Sequence, residues 1–293
     1  MRKALVMRDL SQYPEHFALN TATLRQWPLE RIIEGCARRG IRAITPWHAD
    51  VERVGVAQTK RLLREAQIQL CGYCRGGLFP VAQASERDAV FERNQRVLDA
   101  ARELDAPCVV LVVGGLPGAM EGEPKSRDLA GAREQVKDGI ARTLDYAKSL
   151  RMPLAIEPLH PMYAADRACV NTLEHALDLC DALDPTMQGD LGVAVDCYHV
   201  WWDPKVDAQI ARAGKQRLLG FHVCDWLVPT RDMLNDRGMM GDGVIDIARL
   251  RGQVEQAGFD GFIEVEIFSS DNWWKRDGDD VLDTCVARYR TVV

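Results

Sequence analysis

A chain of 293 residues that is 47% hydrophobic and 27% charged has an ordinary globular composition, long enough for one large domain or two small ones. Its net charge of −6 offers no basic field for a phosphate backbone, which disfavours nucleic acid as a partner, and no stretch approaches the roughly 20 consecutive apolar residues of a membrane-spanning helix. The first twenty residues hold only a short apolar run, too short for a secretory signal, so a cytoplasmic location is expected, with no membrane partner.

Along the chain, short β-branched or apolar runs alternate with longer segments of helical periodicity, the pattern of parallel β/α units. The predicted strands are, in order, 17–23 (FALNTAT), 41–47 (IRAITPW), 69–75 (QLCGYCR), 107–115 (PCVVLVVGG), 153–160 (PLAIEPLH), 192–199 (GVAVDCYH), 218–226 (LLGFHVCDW) and 261–269 (GFIEVEIFS). Between them lie amphipathic segments such as PLERIIEGCARRG, FERNQRVLDAARELD and TLEHALDLCDALD, with apolar residues three and four apart. Eight such units, with no linker between them, predict an α/β fold with a single (β/α)8 TIM barrel over residues 1–293. A doubly wound open sheet is the other reading, but no Gly-x-Gly-x-x-Gly opens the first helix.

The nine cysteines are odd in number, and Cys108, Cys197 and Cys224 sit inside apolar runs, so they read as small buried hydrophobes. The Cys71 and Cys74 pair has no second pair at zinc-ribbon spacing and lies in a predicted strand.

In a barrel of this kind the active site lies where the strands end. The fifth predicted strand ends on Glu157, the sixth on Asp196, the seventh on His222 and the eighth on Glu266. Strand parity puts Ala155, Ala194 and Gly220 on the inward face with them and sends Ile156, Val195 and Phe221 toward the helices, small inside and bulky outside. Any one of these polar residues alone reads as a strand-end group bonding a loop. Four at corresponding points of four consecutive strands read as a metal site, because buried unpaired carboxylates are costly and a cation is the simplest compensation. Three carboxylates and one imidazole suit Mn²⁺, Mg²⁺ or Co²⁺ and tolerate Zn²⁺. Glu264 falls on the same face as Glu266, one layer lower, and needs a partner of its own.

The stretches AIEPLHP, VDCYH, FHVCDW, GDGVIDI and EVEIFS resemble the xylose isomerase-like barrels, specifically the sugar phosphate isomerase/epimerase group. The resemblance implies metal ligands at Glu157, Asp196, His222 and Glu266, and a substrate contact at His199. It also implies a mechanism in which a divalent ion holds a carbonyl and the neighbouring hydroxyl of a sugar or polyol. Glu157 and Glu266 then act as base and acid through an enediolate. An arginine from the loop after the seventh strand is expected against the substrate, with Arg231 preferred to Arg237. His160, Trp47 and His48 are further substrate-binding candidates, and Arg75, Tyr198, Trp273 and Trp274 are placed to wall the pocket. A homo-oligomer is compatible with this reading. The resemblance also admits an inosose dehydratase-type lyase and an endonuclease IV-like repair enzyme. The latter needs histidines on earlier strands, where this chain has YCRGG and VVGGLP.

Overall fold

The computed structural model describes residues 7–11 and 15–293. Its strands are β1 (Phe17–Asn20), β2 (Ala43–Thr45), β3 (Gln69–Leu70), β4 (Tyr73–Gly77), β5 (Val109–Val112), β6 (Leu154–Ile156), β7 (Leu191–Asp196), β8 (Leu218–Val223), β9 (Asp225–Trp226), β10 (Arg237–Gly238) and β11 (Ile263–Val265). Nine of them form one sheet in the order β3-β2-β1-β11-β8-β7-β6-β5-β4, and β9 pairs with β10 in a separate antiparallel ladder. Every pairing in the large sheet is parallel. β3 and β4 are two pieces of one stave, broken at Cys71 and Gly72, and a bridge between Trp47 and Cys74 brings β4 against the end of β2. The ring therefore has the eight staves of a TIM barrel, as the alternation of strand and helix patterns predicts.

Helices cover the outside because each presents one apolar stripe. In the first, Leu29–Arg38, the residues Leu29, Ile32, Ile33 and Cys36 are buried at three- and four-residue spacing. Each large side chain buried in this way contributes about 1.5–3 kcal/mol. Polar caps set where helices begin: Asp128 accepts the Gly131 amide before Leu129–Leu150, and Thr172 accepts the His175 amide before Leu173–Leu183. No helix among the described residues is long and apolar enough to cross a membrane.

The predicted strands overrun at their C-terminal ends. The first stops at Asn20, where Thr21–Leu24 turn into a 3-10 helix, and the sixth stops at Asp196, whose carboxylate accepts the Tyr198 amide at 2.8 Å and starts a short helix. The apolar runs continue past the last ladder bonds because the same residue types line the rim. Inside the barrel, Cys74, Cys108, Val110, Ala155 and Ala194 make a small separate core, while Ile156, Val195 and Phe221 pack in the large outer one. The parity read from the sequence holds. A Cβ at Gly220 would lie 3.2 Å from His222 Nε2, so this inward position leaves little room beside the imidazole.

Candidate metal centre and substrate cavity

Glu157 directly follows β6, Asp196 closes β7, His222 is the penultimate residue of β8 and Glu266 directly follows β11. The ladder places Asp196 opposite His222 and His222 opposite Glu264. One donor atom from each of Glu157, Asp196, His222 and Glu266 lies within 4.8 Å of all the others, and the four residues are buried. His222 Nδ1 is 3.0 Å from Glu157 Oε1, and its Nε2 is 3.6 Å from Glu264 Oε2. Glu264 has the partners its depth demands: Asn20 Nδ2 donates to it at 2.7 Å and Thr45 Oγ1 at 2.6 Å.

Arg237 lies over this cluster. Its Nη1 donates to Asp196 Oδ2 at 2.8 Å and to Glu266 Oε2 at 3.2 Å, and its Nη2 is 3.1 Å from His199 Nε2. Burial works against ionisation of Asp196, but Arg237, His199 and His222 outweigh it and hold the carboxyl below its ordinary range. Glu266 goes the other way. Burial, only partly offset by Arg237 and reinforced by Glu157 and Asp196, pushes it up to about 8. Burial also opposes charge on His222, yet the carboxylates of Glu264, Glu157 and Glu266 raise it well above the ordinary histidine value. Four buried carboxylates, Glu157, Asp196, Glu264 and Glu266, thus share the Arg237 guanidinium and the His222 imidazole, and Glu266 is driven toward its neutral form. A divalent cation would relieve this imbalance, and the oxygen-rich donor set with one imidazole fits such an ion.

His199 is buried, and burial, helped by Arg237, lowers it to about 3. The His160 amide donates to its Nδ1 at 3.2 Å while Arg237 faces Nε2, so both nitrogens meet donors and the protonated ring would accept neither.

A cavity of about 310 Å³ opens over the cluster, lined by Glu157, Glu266, His199 and Arg237 and walled by Trp47, Phe268, Tyr163, Leu159 and Leu234. Trp47 is held by its indole N–H, which donates to Asn20 Oδ1 at 2.8 Å, and its ring meets Phe268 edge-on at 5.8 Å. His48 stands behind Trp47 and outside the cavity lining, its Nδ1 2.8 Å from the Tyr73 hydroxyl and its Nε2 3.4 Å from Glu52. His160 also lies outside the lining, stacked on Trp226 at 4.8 Å, with burial lowering its pKa to about 4.

The expected loop arginine is corrected by the structure. Arg231 has a side chain 57% exposed and is tied to Asp236 at 2.6 Å, whereas Arg237, in β10, is the one turned into the cavity. Asp236 decides between them: it is buried, accepts the Arg231 amide at 2.9 Å as well as its guanidinium, and so holds Arg231 on the outside of the loop. Trp273 and Trp274 do not line the cavity. Trp273 is buried and the Trp274 indole donates to the Ala22 carbonyl, while Phe268 takes the wall position. Among the expected wall residues, Arg75 lines the cavity, and Tyr198 lies under Arg237, its ring centroid 4.5 Å from the guanidinium carbon. Asp225 binds the loop after it, accepting the amides of Gly241, Gly243 and Ile245 at 2.8–2.9 Å. A Cβ at Gly243 would lie 2.1 Å from the Trp226 carbonyl oxygen, which is why GDG stands there. Arg25, Arg167 and Phe268 line the cavity without having been read from the sequence; no motif marks the two arginines, while Phe268 lies within EVEIFS, two residues after Glu266.

Cys71 and Cys74 are free thiols that burial, with the neighbouring carboxylates, pushes well above the ordinary cysteine value. Cys74 packs in the barrel interior and lines the cavity, and Cys71 Sγ lies 3.0 Å from Thr45 Oγ1.

The sequence profile described as xylose isomerase-like TIM barrel matches residues 33–285. No curated protein matches the chain. Among solved structures, protein SMc04130 of Sinorhizobium meliloti is 52% identical, with a TM-score of 0.90 and coverage of 96% of this chain and 99% of that one. The IolI protein, solved with a zinc atom, is 16% identical with a TM-score of 0.77, covering 93% and 96%. A D-allulose 3-epimerase from a Methylomonas species, in complex with D-allulose, is 20% identical with a TM-score of 0.73, covering 95% and 97%. The last two, at these identities, share the fold.

Proposed function

Since the chain belongs to the xylose isomerase-like TIM barrel family, we propose that it is a divalent-metal-dependent isomerase or epimerase of a small sugar or sugar derivative. The observation that supports this most directly is the placement of Glu157 and Glu266 on the wall of one cavity, with Asp196 and His222 completing a set of four donors within 4.8 Å. Glu157, Asp196, His222 and Glu266 would hold the ion, with Mn²⁺, Mg²⁺ or Co²⁺ preferred and Zn²⁺ compatible. When bound, the ion supplies Lewis-acid polarisation of a carbonyl oxygen.

The remaining work falls to the chain's own residues. Glu157 and Glu266 take and return the proton at the carbon beside the substrate carbonyl, through an enediolate. Asn20 and Thr45 fix Glu264, which lies beside His222 and helps hold that imidazole in place. Arg237, which reaches Asp196, Glu266 and His199 together, takes the substrate-facing role expected of Arg231. Trp47 and Phe268 wall the reacting carbon from bulk water.

The test is direct. Purified protein should carry one divalent ion per chain, and a chelator should abolish conversion of a ketose or ketose derivative, with recovery when the ion is restored. In D₂O the product should acquire deuterium at the carbon beside the carbonyl. Conversion that survives chelation would refute metal dependence, and a product without label would favour a hydride shift, leaving Glu157 and Glu266 as ligands alone.

A further inference from the structure

Arg25, Arg75 and Arg167 line the same cavity as Glu157 and Glu266. Among the described residues, no side-chain hydrogen bond from Arg25 or Arg75 is formed, and neither lies within 4.0 Å of a carboxylate; Arg167 has only its neighbour Asp166, at 3.6 Å. Several arginines elsewhere on the barrel do have acidic partners. Arg39 reaches Asp279 and Asp283, Arg212 reaches Asp178 and Asp181, and Arg237 is matched by Asp196 and Glu266.

Arg25 and Arg75 are positioned by aromatic faces. The guanidinium carbon of Arg25 is 5.5 Å from the Trp47 ring, 4.9 Å from Phe268 and 5.0 Å from Trp274. That of Arg75 is 5.5 Å from Trp47, so one indole serves two guanidinium groups. Stacking of this kind fixes a guanidinium while leaving its N–H donors available. The arrangement opposes its own charge. Burial lowers the pKa of Arg75 and of Arg25, and the charge of Arg167 acts on each in the same direction. Arg25 is exposed and Arg75 and Arg167 are partly buried. The charges of Asp50 and Glu266 favour ionised Arg25 and that of Glu157 favours ionised Arg75, but none of these carboxylates is in direct contact, so an anion seated between the guanidinium groups would supply the bonded partner they lack. The carboxylates deeper in the cavity are engaged by His222 and Arg237.

Resting on the isomerase or epimerase reading above, we infer that the substrate carries an oxyanion, a terminal carboxylate or phosphate, gripped by Arg25, Arg75 and Arg167 while its carbonyl end lies against Glu157 and Glu266. Guanidinium forks match the oxygens of both groups. A cavity of about 310 Å³ stands at the lower end of the roughly 300–1,000 Å³ found for ligand sites, which suits a short sugar acid or sugar phosphate and excludes an oligosaccharide. A neutral ketose would leave Arg25 and Arg75 without a directly bonded anion.

The experiment has two independent parts, both on the metal-loaded full chain. In the first, a ketose, its terminal phosphate ester and its terminal carboxylic acid are compared as substrates. One charged form should exceed the neutral one by about 10- to 100-fold in kcat/KM, and which one does so tells phosphate from carboxylate. Arg25→Ala and Arg75→Gln should each remove most of that preference through KM, with metal content unchanged. Arg25 is exposed, so its replacement does not threaten the fold. In the second, tryptophan fluorescence is titrated with inorganic phosphate and with malonate. Saturable binding of either, lost in Arg75→Gln, supports the arginine site even if no sugar is converted, in which case the isomerase reading alone fails. Equal conversion of neutral and charged sugars, indifferent to both substitutions, overturns the inference and leaves the isomerase reading standing.

Discussion

On the side of the barrel built by β6, β7, β8 and β11, the strands end on Glu157, Asp196, His222 and Glu266, whose donor atoms converge within 4.8 Å. On the side built by β1, β2, β4 and β5, Asn20 closes β1, Trp47 lies two residues past β2, Arg75 lies within β4 and Val112 closes β5, and the last three line the cavity. One side supplies charge-dense donors to a point and the other supplies surface, stacking and outward-facing cations. The two are joined by the β1–β11 and β5–β6 ladders and, at the level of side chains, where Asn20 bonds both Glu264 and Trp47 and Thr45 bonds Glu264.

The sharpest way to break this division lies within the donor side. Asp196→Ala and His222→Ala should lose bound metal in elemental analysis, whereas Glu157→Gln and Glu266→Gln should keep an oxygen near the ion and lower kcat by roughly 10²–10⁴-fold. Full metal content in His222→Ala would end the distinction. Next in size is Arg237→Met, which leaves Asp196 and Glu266 buried without their cation and should cost about 3–5 kcal/mol in denaturant unfolding, partly recovered by added divalent ion. An unchanged midpoint would mean the arginine is not compensating them.

On the recognition side, Trp47→Ala should raise KM by about tenfold with metal content intact, since it removes wall area and the face under two arginines. Metal loss in that variant would show the two sides to be coupled through Asn20. His160 provides a pH test on the donor side. Its folded pKa of about 4 lies below the ordinary 6.5, so the unfolded chain binds the proton first and stability falls as pH drops from about 6.5 toward 4. His160→Gln should flatten that part of the profile, measured as denaturant midpoint against pH; an identical slope would remove the assignment. The smallest effect belongs to Arg231→Ala, whose own side chain is exposed and whose backbone amide would still bond the buried Asp236, expected to shift stability by about 1 kcal/mol and to leave KM nearly unchanged. A large rise in KM would return Arg231 to the role its position in the sequence suggests.

The donor set was legible because each member closes an apolar run, with a small residue two positions before Glu157, Asp196 and His222, a local pattern that the pleat converts directly into geometry. Glu264 was legible from its parity with Glu266, though its partners Asn20 and Thr45 come from strands far away in the chain. Arg237 was not. It shares a long aperiodic loop with Arg231, and the choice depends on which of them Asp236 captures and on the ladder of β9 and β10. The break between β3 and β4 was equally hidden: a Cβ at Gly72 would meet Thr45 Oγ1 at 3.2 Å, a contact with the neighbouring stave that no run of residues announces. Arg25 depends on Phe268 and Trp274, more than two hundred residues away, to fix its guanidinium.

The hydroxyls of Tyr163 and Tyr198, from two different strand-end segments, both donate to the Met233 carbonyl. Leu234, the next residue, is thereby held against the cavity as a fixed roof. Arg25 and Met120, also in the cavity lining, are exposed. An incoming anion would meet the exposed Arg25 guanidinium before the buried Glu157 and Glu266, despite the chain's net charge of −6. The rate of arrival should then fall as ionic strength rises and the Debye length shrinks from about 30 Å at 0.01 M to about 8 Å at 0.15 M, while a neutral sugar would reach the same cavity at a rate indifferent to salt.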